Sequence, residues 1–122
     1  MKSAETRLKT MIPSVVLPEG YCGKILLVSI AVKKKRIVVL RSGDLWHREI
    51  LRNAEAEIRA LGISGARVDE LGGAHLRFET DGSIFIWGSS EQFGTCDYDC
   101  VAALLKSIWP GRKVASSFGE MA

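Results

Sequence analysis

Two apolar, β-branched runs near the start of the chain constrain its fold more than any other feature. Residues 24–31 read KILLVSIA and residues 36–41 read RIVVLR, with Lys33, Lys34 and Lys35 lying between them. Such runs favour strands, and a short lysine-rich turn makes them antiparallel neighbours. Strands with so little polar alternation need cover on their faces, so helices are expected to pack on this sheet.

The segment that follows supplies one. Ile50, Ala54, Ile58 and Leu61 recur at spacings of four, four and three, while Arg48, Glu49, Arg52, Glu55, Glu57 and Arg59 fall mostly elsewhere. This is one apolar stripe on a solvated helix. With Asp44 as N-cap and Gly62 at the C′ position, the helix is expected from about Leu45 to Leu61. His47 would then occupy about the third helical position, beside unpaired backbone N–H groups whose field favours an anion and opposes a positive imidazole. A neutral imidazole there suits a general base or nucleophile, and the helix end suits a phosphate. The plainer reading is a capping or surface histidine packed on Trp46.

Further along, Ala66–Leu71, His75–Glu79 and Ser83–Trp87 read as three more strands, with Gly72-Gly73 separating the first two and Asp81-Gly82 suiting a type I′ turn between the last two. A second helix is expected over Tyr98–Trp109, capped by Asp97, burying Val101, Leu104, Leu105 and Ile108, and stopped by Pro110-Gly111. Lys113–Ser117 can form a last short strand. The expected architecture is one α/β (α+β) domain, a mixed sheet of about six strands carrying two main helices. Its 122 residues suffice for one core. Residues 19–122 would form the domain and residues 1–18 a partly ordered tail, which lacks the apolar centre and cleavage site of a secretion signal.

Composition narrows the class. With 47% hydrophobic and 25% charged residues, the chain resembles ordinary globular proteins, and no apolar run reaches membrane-spanning length. Net charge is only +3, and Lys33 to Arg36 form the sole basic run, read as a solvated turn with a docking patch for an acidic partner as the alternative. No zinc-finger spacing or aromatic-rich strand-binding signature accompanies it, so nucleic acid is not an expected partner. Cys22, Cys96 and Cys100 form no disulfide framework, which fits a reducing, cytoplasmic setting. No metal set is apparent: Cys96 and Cys100 alone do not make a zinc site.

The stretch GSSEQFG, Gly88 to Gly94, follows a strand and leads into the second helix. Such a loop can turn backbone N–H groups and a hydroxyl towards an anion. Common phosphatase chemistries fail on spacing. Six residues after Cys22, Cys96 and Cys100 stand Val28, Ala102 and Lys106, where a cysteine phosphatase needs arginine. DYDCV, Asp97 to Val101, imitates an aspartyl-phosphatase signature but opens a helix instead of ending a strand. Arg-His-Gly, Walker A, His-Glu-x-x-His and nucleophile-elbow motifs are absent from the sequence.

Four blocks in order, LWHREILRNAEAEIRALG, ELGGAHLRF, IFIWGSSEQFG and KSIWPGRKV, together resemble the protein phosphohistidine phosphatase, or Janus/Ocnus, family over roughly Lys24 to Ser117. The resemblance implies that His47 is the catalytic histidine. The family's Tyr-Gly-Tyr-Ser-x-x-Tyr-Gly segment is similar to Trp87–Gly94, which implies a phosphate cradle of Ser90 and the backbone N–H of Gln92. Lys24 corresponds to a family lysine near the phosphate. Arg41 resembles the arginine ending the second strand, although its gap to the histidine is two residues shorter here. Where many members carry three glycines and an arginine, this chain has Gly72, Gly73, Ala74 and His75, and Tyr98 replaces a family histidine. His75 and Tyr98 are therefore expected as possible substrate contacts. Gln92 is larger than the usual residue, and residues 63–70 carry an apparent insertion.

The implied activity is hydrolysis of the P–N bond of phosphohistidine on phosphorylated protein substrates, by a monomer that needs neither metal nor cofactor. His47 would act as general base or as nucleophile. The alternatives are an inactive phosphate-binding reader of the same fold and a protein-interaction module docking through the basic turn.

Overall fold

In the computed structural model, the described residues are 4–120, with side chains described from Leu8 to Phe118. The elements run α1 (Ala4–Met11), β1 (Cys22–Val32), β2 (Lys35–Gly43), α2 (His47–Ala60), β3 (Ala66–Phe78), β4 (Ile84–Trp87), α3 (Tyr98–Ile108), β5 (Val114–Ser116) and β6 (Gly119–Glu120). They build one mixed six-stranded sheet in the order β2-β1-β3-β4-β5-β6, in which only β4 and β5 pair in parallel.

The two apolar runs form the expected hairpin, with Lys33 in the left-handed region at φ 57°. β1 lies inside the sheet, and its alternate residues feed two separate cores. Ile25 and Leu27 join Leu40, Leu76, Ile84 and Ile86 beneath Val101, Ala102 and Leu105 of α3. Leu26, Val28 and Ile30 join Ile37 and Val39 beneath Ile50, Ala54 and Ile58 of α2. Burying each of these large aliphatic side chains is worth about 2 kcal/mol, so each helix is held by its apolar stripe. The stripes end sooner than the periodicity predicts, since Leu61 and Ile108 are exposed.

Three local expectations change. The separate strands Ala66–Leu71 and His75–Glu79 are one strand, β3, running through Gly72-Gly73. Opposite Leu26 to Val28 it carries one extra residue, a bulge that Gly72 accommodates at φ 94°. The extra residue exchanges the faces: Ala66 and Val68 pack towards α2, whereas beyond the bulge Ala74 and Leu76 belong to the α3 core. Gly73 and His75 are thereby turned to the α2 side. The Asp81-Gly82 turn is not type I′, because only Gly82 has positive φ. The Glu79 carbonyl accepts from Gly82 N, and the Asp81 carboxylate accepts from Ser83 N and Oγ. The start of α2 also differs. Asp44 and Leu45 lie in a bend, Trp46 is the N-cap without a side-chain hydrogen bond, and His47 is the first helical residue instead of the third. α3 does begin as expected, with the Asp97 carboxylate accepting from Asp99 N and Cys100 N.

The segment expected as a tail, residues 1–18, is tied to the domain wherever it is described. Leu8 and Ile12 are buried in the α2-side core. Leu40 N donates to Ser14 O and Val16 N donates to Leu40 O, along the outer edge of β2. Two apolar residues four apart are too few to register as a stripe, and this hid their role in the sequence. Among the described residues, no helix is long and apolar enough to cross a membrane.

Candidate functional site

The site forms where the N-terminus of α2 meets the part of β3 beyond the bulge. His47 is 3% exposed, and its Nε2 lies 3.1 Å from the carbonyl oxygen of Ala74. A carbonyl only accepts, so Nε2 carries the proton of the neutral ring and the lone pair sits on Nδ1. The ring rests directly on the strand backbone. A Cβ placed on Gly73 would lie 2.5 Å from His47 Cδ2, 2.7 Å from Nε2 and 3.0 Å from Ser90 Cβ, so only glycine lets both side chains converge there.

Gly73 also anchors the loop from Gly88 to Gly94. Gly73 N donates to Gly94 O and Cys96 N donates to Gly73 O, while Ser90 and Gly94 exchange two backbone hydrogen bonds. The Ser90 hydroxyl accepts from Phe93 N at 3.1 Å and lies 3.4 Å from Gln92 Oε1. These contacts fix the loop against the strand.

A pocket of about 280 Å³ opens over this junction, lined by Lys24, Trp46, His47, His75, Ser89, Glu91 and Gln92. Larger clefts of about 480 and 340 Å³ lie beside Arg112 and beside Arg36, but neither contains a histidine. Lys24, His75 and Trp87 occupy one cross-strand row of β1, β3 and β4. The His75 ring stacks on Trp87 at 5.5 Å and meets His47 edge-on at 5.9 Å. Burial, then the His47 ring and the Lys24 ammonium, hold the His75 pKa below its ordinary value.

Tyr21 steadies the same end of the sheet. Its hydroxyl bridges the paired ends of β1 and β2, 2.8 Å from Lys24 O and 2.9 Å from Gly43 O, and accepts from Gly43 N. Burial raises its pKa, so the phenol stays protonated. Among the described residues, no three His, Cys, Asp or Glu side chains are grouped to hold a metal ion.

A model of the Janus/Ocnus family matches residues 9–113. The chain belongs to the Janus/Ocnus family. No curated protein sequence matches it significantly. Of the residues that the family resemblance brings forward, this Janus/Ocnus chain gathers Lys24, His47, His75 and Gln92 around one pocket. Ser90 adjoins His47 across Gly73, but it is buried and outside the pocket lining, and its hydroxyl engages the loop's own backbone.

Arg41 and Tyr98 lie elsewhere. Arg41 shares the α2-facing side of β2 with Ile37 and Val39, and its Nε and Nη2 each donate to the Glu57 carboxylate at 2.8 Å. That bidentate pairing engages the guanidinium at the last turn of the helix, away from the pocket lining. The Tyr98 hydroxyl donates to Gly88 O, and its ring sits in the α3-side core. It supports the loop from behind the sheet.

Trp46, Ser89 and Glu91 line the pocket without having been singled out as site residues. Trp46 is 62% exposed although it directly precedes the buried histidine, and a tryptophan at the start of a solvated helix was the available signal.

Proposed function

We propose that this Janus/Ocnus protein is a metal-independent phosphatase that hydrolyses the P–N bond of phosphohistidine on proteins, with His47 as its central residue. The observation that carries the reading is the 3.1 Å contact between His47 Nε2 and Ala74 O: the carbonyl accepts the Nε2 proton, which in a neutral ring puts the lone pair on Nδ1, at the first residue of a helix. No side chain caps that helix, which leaves its first backbone N–H groups available to an anion.

In the proposed reaction, Nδ1 either takes a proton from the water that attacks phosphorus or attacks phosphorus itself. The P–O or P–N(His47) bond forms as the bond to the substrate imidazole breaks, and the leaving nitrogen takes up a proton. When His47 attacks, water then cleaves its phosphoryl adduct. Lys24 would balance phosphoryl charge from across the pocket, and the backbone N–H of Gln92, a residue of the pocket lining, would donate to a phosphoryl oxygen. Holding a phosphoryl group with a good leaving group in line is most of what such a reaction requires.

The test is release of inorganic phosphate from a phosphohistidine peptide by the wild type and by His47→Ala, with EDTA present. Turnover that the substitution abolishes supports the reading, and a folded, phosphate-binding wild type without turnover refutes it. The second reading is a phosphate-binding module that does not turn over. It is favoured by His75, which lines the pocket at the position where many family members carry an arginine.

A further inference from the structure

Two features set His75 apart from a surface histidine. One face of its ring lies against Trp87 with the planes 24° apart, and its Nδ1 is buried without a hydrogen-bond partner. Gly88 adjoins that nitrogen so closely that no other residue fits there: a Cβ would lie 2.8 Å from Nδ1. Gly88 is held in turn by the Tyr98 hydroxyl on its carbonyl. No acceptor meets Nδ1, so a proton placed there would be an orphaned buried N–H, which proteins tolerate less readily than an unmatched lone pair. The proton therefore belongs on Nε2. With Nδ1 turned to Gly88, the ring edge left to line the pocket is the one carrying Nε2 and Cδ2.

We propose that His75 is a neutral hydrogen-bond donor that presents Nε2–H to an oxygen of the phosphoryl group beside His47, with its tautomer set by the Gly88 backbone and its plane set by Trp87. The inference rests on the phosphate-pocket reading above, but not on turnover. The groups sharing the pocket with His75 are His47, Lys24, Glu91, Gln92, Ser89 and Trp46. Lys24 supplies positive charge and Glu91 opposes it, so a donor without charge adds directional grip on an oxygen without adding a second cation beside Lys24. The lowered His75 pKa agrees with a ring that stays neutral at neutral pH.

The probe is inorganic phosphate, titrated into the full chain with ¹⁵N-labelled histidines and observed by NMR. The free protein should show His75 as the Nε2–H tautomer. His75→Phe keeps a flat ring for Trp87 but removes the donor, and it should weaken phosphate binding about tenfold, as loss of one hydrogen bond to a charged group implies. His75→Gln, whose amide nitrogen reaches the place of Nε2, should restore binding to within about twofold of wild type, a rescue that packing alone does not explain. Should the phenylalanine variant not fold, His75→Asn replaces it: its amide reaches only the Nδ1 position and should bind phosphate as weakly as expected for phenylalanine.

An Nδ1–H tautomer overturns the proposal, as do donor-lacking variants that bind phosphate like wild type. A wild type that binds no phosphate overturns both this proposal and the pocket reading. His75-dependent phosphate binding without hydrolysis of phosphohistidine supports the proposal and overturns only the phosphatase reading.

Discussion

Gly73 and His47 are in such close contact that the imidazole occupies the space where any other residue would carry its Cβ, 2.5 Å from Cδ2. Gly73→Ala should displace the ring from Ala74 O. The overpacking should cost about 1 to 3 kcal/mol in a denaturant melt. Because the reacting nitrogen is displaced, phosphate release from a phosphohistidine peptide should fall on the order of a hundredfold. An alanine variant with wild-type turnover would show that the ring does not need its seat.

Arg41 and Glu57 join β2 to α2 by two 2.8 Å hydrogen bonds around a buried guanidinium. Glu57→Ala should destabilise the fold by about 2 kcal/mol, at the low side for a broken pair because the glutamate is partly exposed. Its affinity for inorganic phosphate should not change. A marked loss of phosphate binding in a folded variant would return Arg41 to the pocket.

His75 has a lowered pKa in the folded chain, caused first by burial and then by His47 and Lys24. The unfolded chain therefore binds more protons once pH drops below the ordinary histidine value of about 6.5. Stability should be unaffected above that pH, decline as pH falls from there to the lowered folded value, and lose this dependence once both states are protonated. Thermal melts of wild type and His75→Gln across this window isolate the contribution, and parallel curves for the two would show that His75 carries none of it.

Cys96 is buried, and burial pushes its thiol up to about 12, whereas Cys22 is exposed. Iodoacetamide at mildly alkaline pH should modify Cys22 in the native protein and reach Cys96 only after denaturation. Peptide mapping by mass spectrometry separates the two. Native labelling of Cys96 at a rate comparable to Cys22 would mean that the α3-side core opens.

Where structure follows from a single local pattern, the sequence is legible: the KILLVSIA and RIVVLR hairpin, the Ile50-Ala54-Ile58 stripe and the Asp97 cap all stand as expected. Legibility fails where a contact between distant segments decides the geometry. Gly72-Gly73 reads as a break, but the Thr95-Cys96 backbone packed against Gly72 makes it a bulge inside one continuous strand. Arg41 resembles a phosphate ligand until α2 brings Glu57 to it from sixteen residues away. His47 stands out in the sequence through its place near a helix start together with the family resemblance, but its tautomer depends on Ala74, twenty-seven residues later. His75 joins Lys24 and Gln92 at the pocket because the bulge selects which side chains of β3 face α2.

The segment from Ser14 to Val16 lies along the outer edge of β2 and occupies the amide and carbonyl of Leu40. A nine-residue strand with an apolar centre and bare edge groups is what recruits strands from other molecules into a growing cross-β stack. The N-terminal segment thus acts as a guard against self-association, and a chain trimmed to begin after residue 18 would endanger its solubility before its chemistry.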